Sequence, residues 1–200
     1  MFTLAIQAGG ESRRMGQNKA LMSFMGKPLI QQVVRRLAGL ADETFVIANR
    51  PELYAFLALP LYPDLVPGRG ALGGLLTALR YAKHPSVAVV ACDMPFASPS
   101  LLRYQVQRLA EKNVDVVAPL TALGLEPLHA IYRRETCLPI IEAAVAAGEW
   151  KVKGWLARVD VYALSEEEWK SYDPAGVIFT NLNTPDEFSK AEQYARSQRA

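Results

Sequence analysis

Cysteine and histidine are scarce in this chain of 200 residues, which has two of each. Cys92 and Cys137 lie in dissimilar surroundings without metal-ligand spacing, so neither a disulfide framework nor a zinc site is indicated and both thiols are expected to be reduced. His84 falls in the turn-like KHPS and His129 in an apolar run, which leaves no Ser/His/Asp set for nucleophilic catalysis. An excess of one charge is also missing. With 22 Lys and Arg against 20 Asp and Glu, the net charge is +2, too little for the broad cationic face that a duplex binder needs, so nucleic acid is not an expected partner. No apolar run approaches the roughly 18 residues of a membrane span, and MFTLAIQAGG has neither the basic start nor the apolar length of a signal peptide. The expectation is a cytosolic protein that does not enter a membrane. Repeats, low-complexity tracts and linkers are absent too.

What is present is a regular alternation. Half of the residues are hydrophobic, enough for one substantial core, so residues 1–200 are expected to form a single domain. TLAIQA (3–8), TFVIAN (44–49), VAVVAC (87–92) and VDVVAPL (114–120) are short, nearly continuous apolar runs, the pattern of strands covered on both faces. Between them, 28–40, 71–83 and 98–112 carry apolar residues at helical spacing, which makes a βαβ series. Beyond Pro119 the rhythm loosens into LHAIYRR (128–134), a helix-like 135–148, a strand-like VDVYALS (159–165) and a last helix announced by Thr184-Pro185-Asp186-Glu187, a capping box with proline at the first helical position.

Open α/β sheets hold ligands at the carboxyl ends of their strands, and the chemically loaded residues cluster there. AGGESRRMGQNK (8–19) follows the first strand with two adjacent glycines, Arg13, Arg14 and Lys19, the composition of an anion-binding loop in which backbone N–H groups form a nest. It is not a P-loop, because Gly16 is followed by Gln17 and Asn18 before Lys19. The G-x-G-x-x-G at 68–73 is a poor dinucleotide fingerprint, because Pro63 and Pro67 precede it where a ladder strand should be. A solvated basic loop with turn glycines is the plain alternative for 8–19.

The first loop resembles the signature LAGGxSxRMGxDK of the molybdenum cofactor guanylyltransferases, a family within the nucleotidyltransferases. Further matches run in order along the chain: GKPL (26–29), ANR (48–50), Asp64 with PGRGALGGLLTAL (67–79), CDMPF (92–96), EPLHAIY (126–132) and NLNTPDEF (181–188). Gln7, Asn18 and Ala71 depart from the family's usual Leu, Asp and Pro. The resemblance implies a three-layer α/β/α Rossmann-like nucleotidyltransferase fold, its sheet mostly parallel with an antiparallel strand in the C-terminal half. It also implies transfer of GMP from GTP to the terminal phosphate of molybdenum-bearing molybdopterin, with release of pyrophosphate. A related enzyme using CTP or another acceptor, and a nucleotide-binding module without turnover, remain as alternatives.

The family's roles carry over as expectations. Residues 1–120 would mainly bind GTP and 121–200 mainly bind the acceptor and complete the sheet. The backbone at Gln7, Ala8, Gly9 and Gly10 would hold the base and sugar, with Arg13, Arg14 and Lys19 facing the phosphates. Asn49 would contact the guanine side, though it also suits a cap before Pro51, and Asp64 would lie at the nucleotide, though Asp beside proline is often a turn residue. Asp93 would bind Mg²⁺, the expected cofactor, because a carboxylate at a buried strand end suits a hard ion that bridges phosphates. Asn181 or Asn183 would complete that metal site from a last strand. His129, Asn181 and Asn183 would meet the pterin, whose delivery and onward transfer imply molybdenum-insertion proteins and acceptor molybdoenzymes as partners. Lys19, Arg13 and Asp93 are the expected catalytic set.

Overall fold

β1 (Thr3–Gln7) is buried along its whole length because it has a neighbour on either side and helices over both faces. The computed structural model describes residues 1–8 and 18–198, so Gly9, Gly10, Arg13 and Arg14 lie outside the described residues. A small ribbon, β2 (Ser23–Phe24) with β3 (Lys27–Pro28), leads into α1 (Leu29–Arg36). Then come β4 (Glu43–Ile47), β5 (Leu61–Tyr62), α2 (Gly70–Tyr81), β6 (Ser86–Ala91) and α3 (Pro99–Lys112). The second half contributes β7 (Val116–Thr121), β8 (Gly124–Leu125), β9 (His129–Arg133), α4 (Arg134–Ala146), β10 (Val161–Leu164), α5 (Glu166–Lys170) and α6 (Pro185–Ser197).

The main sheet runs β10-β7-β9-β6-β1-β4-β5, with β8 paired to β7 off this path. β1 pairs parallel with β4 and β6, β4 with β5, and β10 with β7. β9 is antiparallel to both β6 and β7, the one reversal in the path. The pleat sends Leu4 and Ile6 toward one layer, where Ile30 and Val33 of α1 and Leu101, Leu102 and Leu109 of α3 pack, and sends Ala5 toward α2 and α4. Each Leu, Ile or Val removed from water in this way contributes about 1.5–3 kcal/mol, which is why the near-continuous apolar runs become central strands. The architecture is the three-layer, mostly parallel α/β/α arrangement expected from the sequence.

Several boundaries differ. The helix expected over 28–40 ends at Arg36 and the chain turns through Gly39 at φ +69°; Leu37 and Leu40 stay buried, so the apolar spacing outlasts the helix. The strand expected over 44–49 ends at Ile47, which leaves Asn49 exposed beyond it. Residues 181–183 are not a strand: they cross the end of the sheet as irregular chain before α6, held by the Leu182 N–H donating to the Asp93 carbonyl at 3.0 Å. Trp155 and Trp169 are buried in the second half, Trp155 completely.

Candidate active site

Parallel pairing of β1 with β6 brings Gln7 opposite Ala91, so both strands deliver their carboxyl ends to one place. The Cys92 N–H donates to the Gln7 carbonyl at 3.0 Å and extends that pairing by one step, which aims Asp93 at the edge of the sheet. Lys19 arrives from the other side on a single 3-10 turn, Lys19–Leu21. Asn18 caps that turn by accepting from the Ala20 N–H at 3.2 Å, and its amide donates to the Tyr54 hydroxyl at 2.9 Å. Tyr54 is itself buried, so the turn is anchored to the core rather than to solvent.

These constraints produce a compact polar cluster. The Lys19 ammonium donates to Asp93 Oδ2 at 2.5 Å and to Asn183 Oδ1 at 2.8 Å. Both charged side chains are mostly buried, at 15% and 17% exposure, so their attraction is less screened than that of a surface pair. The other carboxylate oxygen, Asp93 Oδ1, is buried and has no hydrogen-bond partner among the described residues. A cleft of about 120 Å³ opens beside the cluster, with Gln7, Ala8, Asn18, Ala71, Leu128 and Asn181 in its wall. Burial, with Asp93 second, pushes the Cys92 thiol up to about 12, which keeps it protonated and unreactive. What the arrangement can do is hold anionic groups with an ammonium and carry a hard cation on oxygen donors.

The remaining predicted residues fall elsewhere. His129 is fully buried: its Nε2 accepts from the Ser98 N–H at 3.2 Å and its ring meets Phe179 edge-on. Burial lowers its pKa to about 4, so it is a neutral core residue. The acceptor-side expectation for His129 rested on its neighbourhood in EPLHAIY; the structure seats its ring between the Ser98 N–H and Phe179. Asp64 is also buried, and its Oδ1 accepts from the Val66 N–H and the Thr77 hydroxyl, each at 3.0 Å. It fastens the turn before α2 and is not part of the cleft wall, and neither is exposed Asn49.

Two contacts went unread in the sequence. One is the direct pairing of Lys19 with Asp93, two residues that the sequence points separately to phosphate and to metal. The other is the seat of Gln7: its Nε2 donates to the Ala71 carbonyl at 3.2 Å, across a helix face left bare by Gly74. The signal was available, since two adjacent glycines inside a helix cost roughly 1 kcal/mol each relative to Ala and are kept where something must approach closely.

The model of the MobA-like NTP transferase domain matches residues 4–162. The chain belongs to that family. It is 36% identical over 189 residues to the probable molybdenum cofactor guanylyltransferase of Carboxydothermus hydrogenoformans, covering 94% of each chain. To the molybdenum cofactor guanylyltransferase of Desulfosudis oleivorans it is 35% identical over 195 residues, covering 97% of this chain and 96% of the other. The crystal structure of molybdopterin-guanine dinucleotide biosynthesis protein A from Archaeoglobus fulgidus superposes with a TM-score of 0.86 at 28% identity, over 98% of this chain and 99% of that one. A nucleotidyl transferase from Methanothermobacter, at 15% identity and a TM-score of 0.75, shares the fold. Family membership thus agrees with an enzyme of the nucleotidyltransferase type, and among the described residues no helix is long and apolar enough to cross a membrane.

Proposed function

We propose that this chain is a molybdenum cofactor guanylyltransferase, which transfers GMP from GTP to the terminal phosphate of molybdopterin and releases pyrophosphate. The observation that carries the reading is the Lys19–Asp93–Asn183 cluster at the joined ends of β1 and β6, in a chain whose curated relatives bear that name along nearly their whole length. In the transfer, an oxygen of the pterin phosphate bonds to the α-phosphorus of GTP while the bond from that phosphorus to the bridging oxygen of the β-phosphate breaks, and pyrophosphate leaves with the electron pair. The attacking phosphate is already ionised near neutral pH. The protein therefore has little proton transfer to perform and acts mainly by neutralising charge and aligning two anions.

Each residue has a part in that. The backbone at Gln7 and Ala8, continued by Gly9 and Gly10, cradles the base and sugar end. The Lys19 ammonium, supported by Arg13 and Arg14, balances the phosphate oxygens. Asn181, which stands in the cleft wall, meets the acceptor in this reading. The donors at Asp93 and Asn183 fit Mg²⁺: a buried carboxylate oxygen without a partner among the described residues, and an amide oxygen that meets the same Lys19 ammonium as that carboxylate, are hard ligands. When bound, Mg²⁺ would supply Lewis-acid stabilisation of charge on those phosphates.

The test is mass spectrometry of the products formed with Mg²⁺, molybdopterin and each of GTP, CTP and ATP. The guanine dinucleotide and pyrophosphate from GTP are the expected products. A cytosine dinucleotide, or binding of GTP with no product, would replace this reading by the sister activity or by a module without turnover.

A further inference from the structure

Gln7 ends a strand with a side chain that the core does not require. It is 4% exposed and stands in the cleft wall together with Ala71. The contact of its amide with the Ala71 carbonyl fixes which end of the amide is which, because a carbonyl accepts only from the nitrogen. Oε1 therefore remains as an acceptor, buried and without a partner among the described residues. An unmet buried acceptor is costly, and one carried by a residue of the cleft wall is offered to a ligand donor. The chain also reserves the space: a Cβ on Gly74 would lie 1.6 Å from Gln7 Nε2 and 2.2 Å from its Cδ. A leucine at position 7 would have no such acceptor.

We propose that the side-chain amide of Gln7 reads the nucleobase, with Oε1 accepting from the N1–H and 2-amino edge of guanine. Adenine presents an acceptor and a C–H on that edge, so it leaves Oε1 unmet. Gln7 is thereby a specificity-determining residue of this chain, acting through its side chain in addition to any backbone contact. The inference rests on reading the cleft as the nucleotide pocket.

Calorimetry of Mg²⁺-GTP and Mg²⁺-ATP with the wild-type chain and with Gln7→Leu decides it, with circular dichroism and a thermal melt confirming that the variant is folded. The wild type is expected to prefer GTP. Gln7→Leu is expected to weaken GTP by about tenfold and to leave ATP within about twofold, so the preference shrinks by the same factor. An unchanged GTP-to-ATP ratio, or equal losses for both nucleotides, would overturn the proposal and return Gln7 to the wall. If the wild type itself shows no preference for GTP, the guanylyl reading fails first and takes this inference with it, a result separable from the others because it does not involve the variant.

Discussion

Replacing Gly74 with Ala tests the seat of Gln7 in a way that opposes two known tendencies. Inside α2, a Gly→Ala change on its own stabilises by about 1 kcal/mol. Here the new methyl would come 1.6 Å from Gln7 Nε2, 2.2 Å from Cδ and 2.8 Å from Cγ, so the whole end of the side chain must leave. Overpacking of that kind costs about 1–3 kcal/mol, and loss of the bond to the Ala71 carbonyl costs roughly 1 kcal/mol more. The clash outweighs the helix gain, for a net destabilisation of about 1–3 kcal/mol. In a chain of this size, 2 kcal/mol is a fall in Tm of roughly 4–8 °C. Shortening the partner as well, in Gln7→Ala with Gly74→Ala, removes the collision and leaves the helix gain, so the double variant should be more stable than the two single changes predict by about 2 kcal/mol. Urea unfolding of the wild type, both single variants and the double variant measures that coupling directly. A Gly74→Ala variant as stable as the wild type, or single effects that simply add, would refute the packing argument.

Three further outcomes follow from the site and its surroundings. Asp93→Asn keeps the size and removes the charge, so GMP transfer should fall by about 10²-fold or more with an unchanged far-ultraviolet circular dichroism spectrum; an unfolded variant would mark Asp93 as structural. The Lys19 ammonium occupies Asp93 Oδ2 and Asn183 Oδ1, so Lys19→Met should bind Mn²⁺, read by electron paramagnetic resonance, about tenfold more tightly than the wild type while transferring GMP on the order of 10²-fold more slowly. Unchanged Mn²⁺ binding would mean that the ammonium and the metal do not share those oxygens. His129 is held neutral with a pKa of about 4, below the value of about 6.5 for an unfolded histidine, so the unfolded chain binds the extra proton between these values and stability falls as pH drops from about 6.5 to 4. Against His129→Gln, the wild type should lose roughly 3 kcal/mol of relative stability over that window in denaturant titrations; a constant difference would show that the imidazole is not excluded from water.

The sequence by itself determined the order of strands and helices. Runs such as TLAIQ and VAVVA are short, nearly continuous and buried throughout, which suits a strand covered on both faces, and the Thr184 to Glu187 cap is a local hydrogen-bond pattern within one turn. It also determined the loop glycines and the placement of Lys19 and Asp93 near strand ends, because motif spacing is local information. The partners of polar groups were decided by the tertiary structure alone. Lys19 meets Asp93 across 74 residues and Asn183 across 164, and both meetings depend on β6 lying beside β1 and on an irregular segment crossing the sheet edge. His129 and Asp64 look as available in the sequence as Asp93 does, yet insertion of antiparallel β9 puts the imidazole under α3, and Thr77, one turn beyond Gly73 on α2, takes up the Asp64 carboxylate. Periodicity reports which face of an element is apolar, but whether a polar side chain on it meets solvent, ligand or a core partner depends on what the sheet order places opposite, and that order is set by the packing of the whole chain.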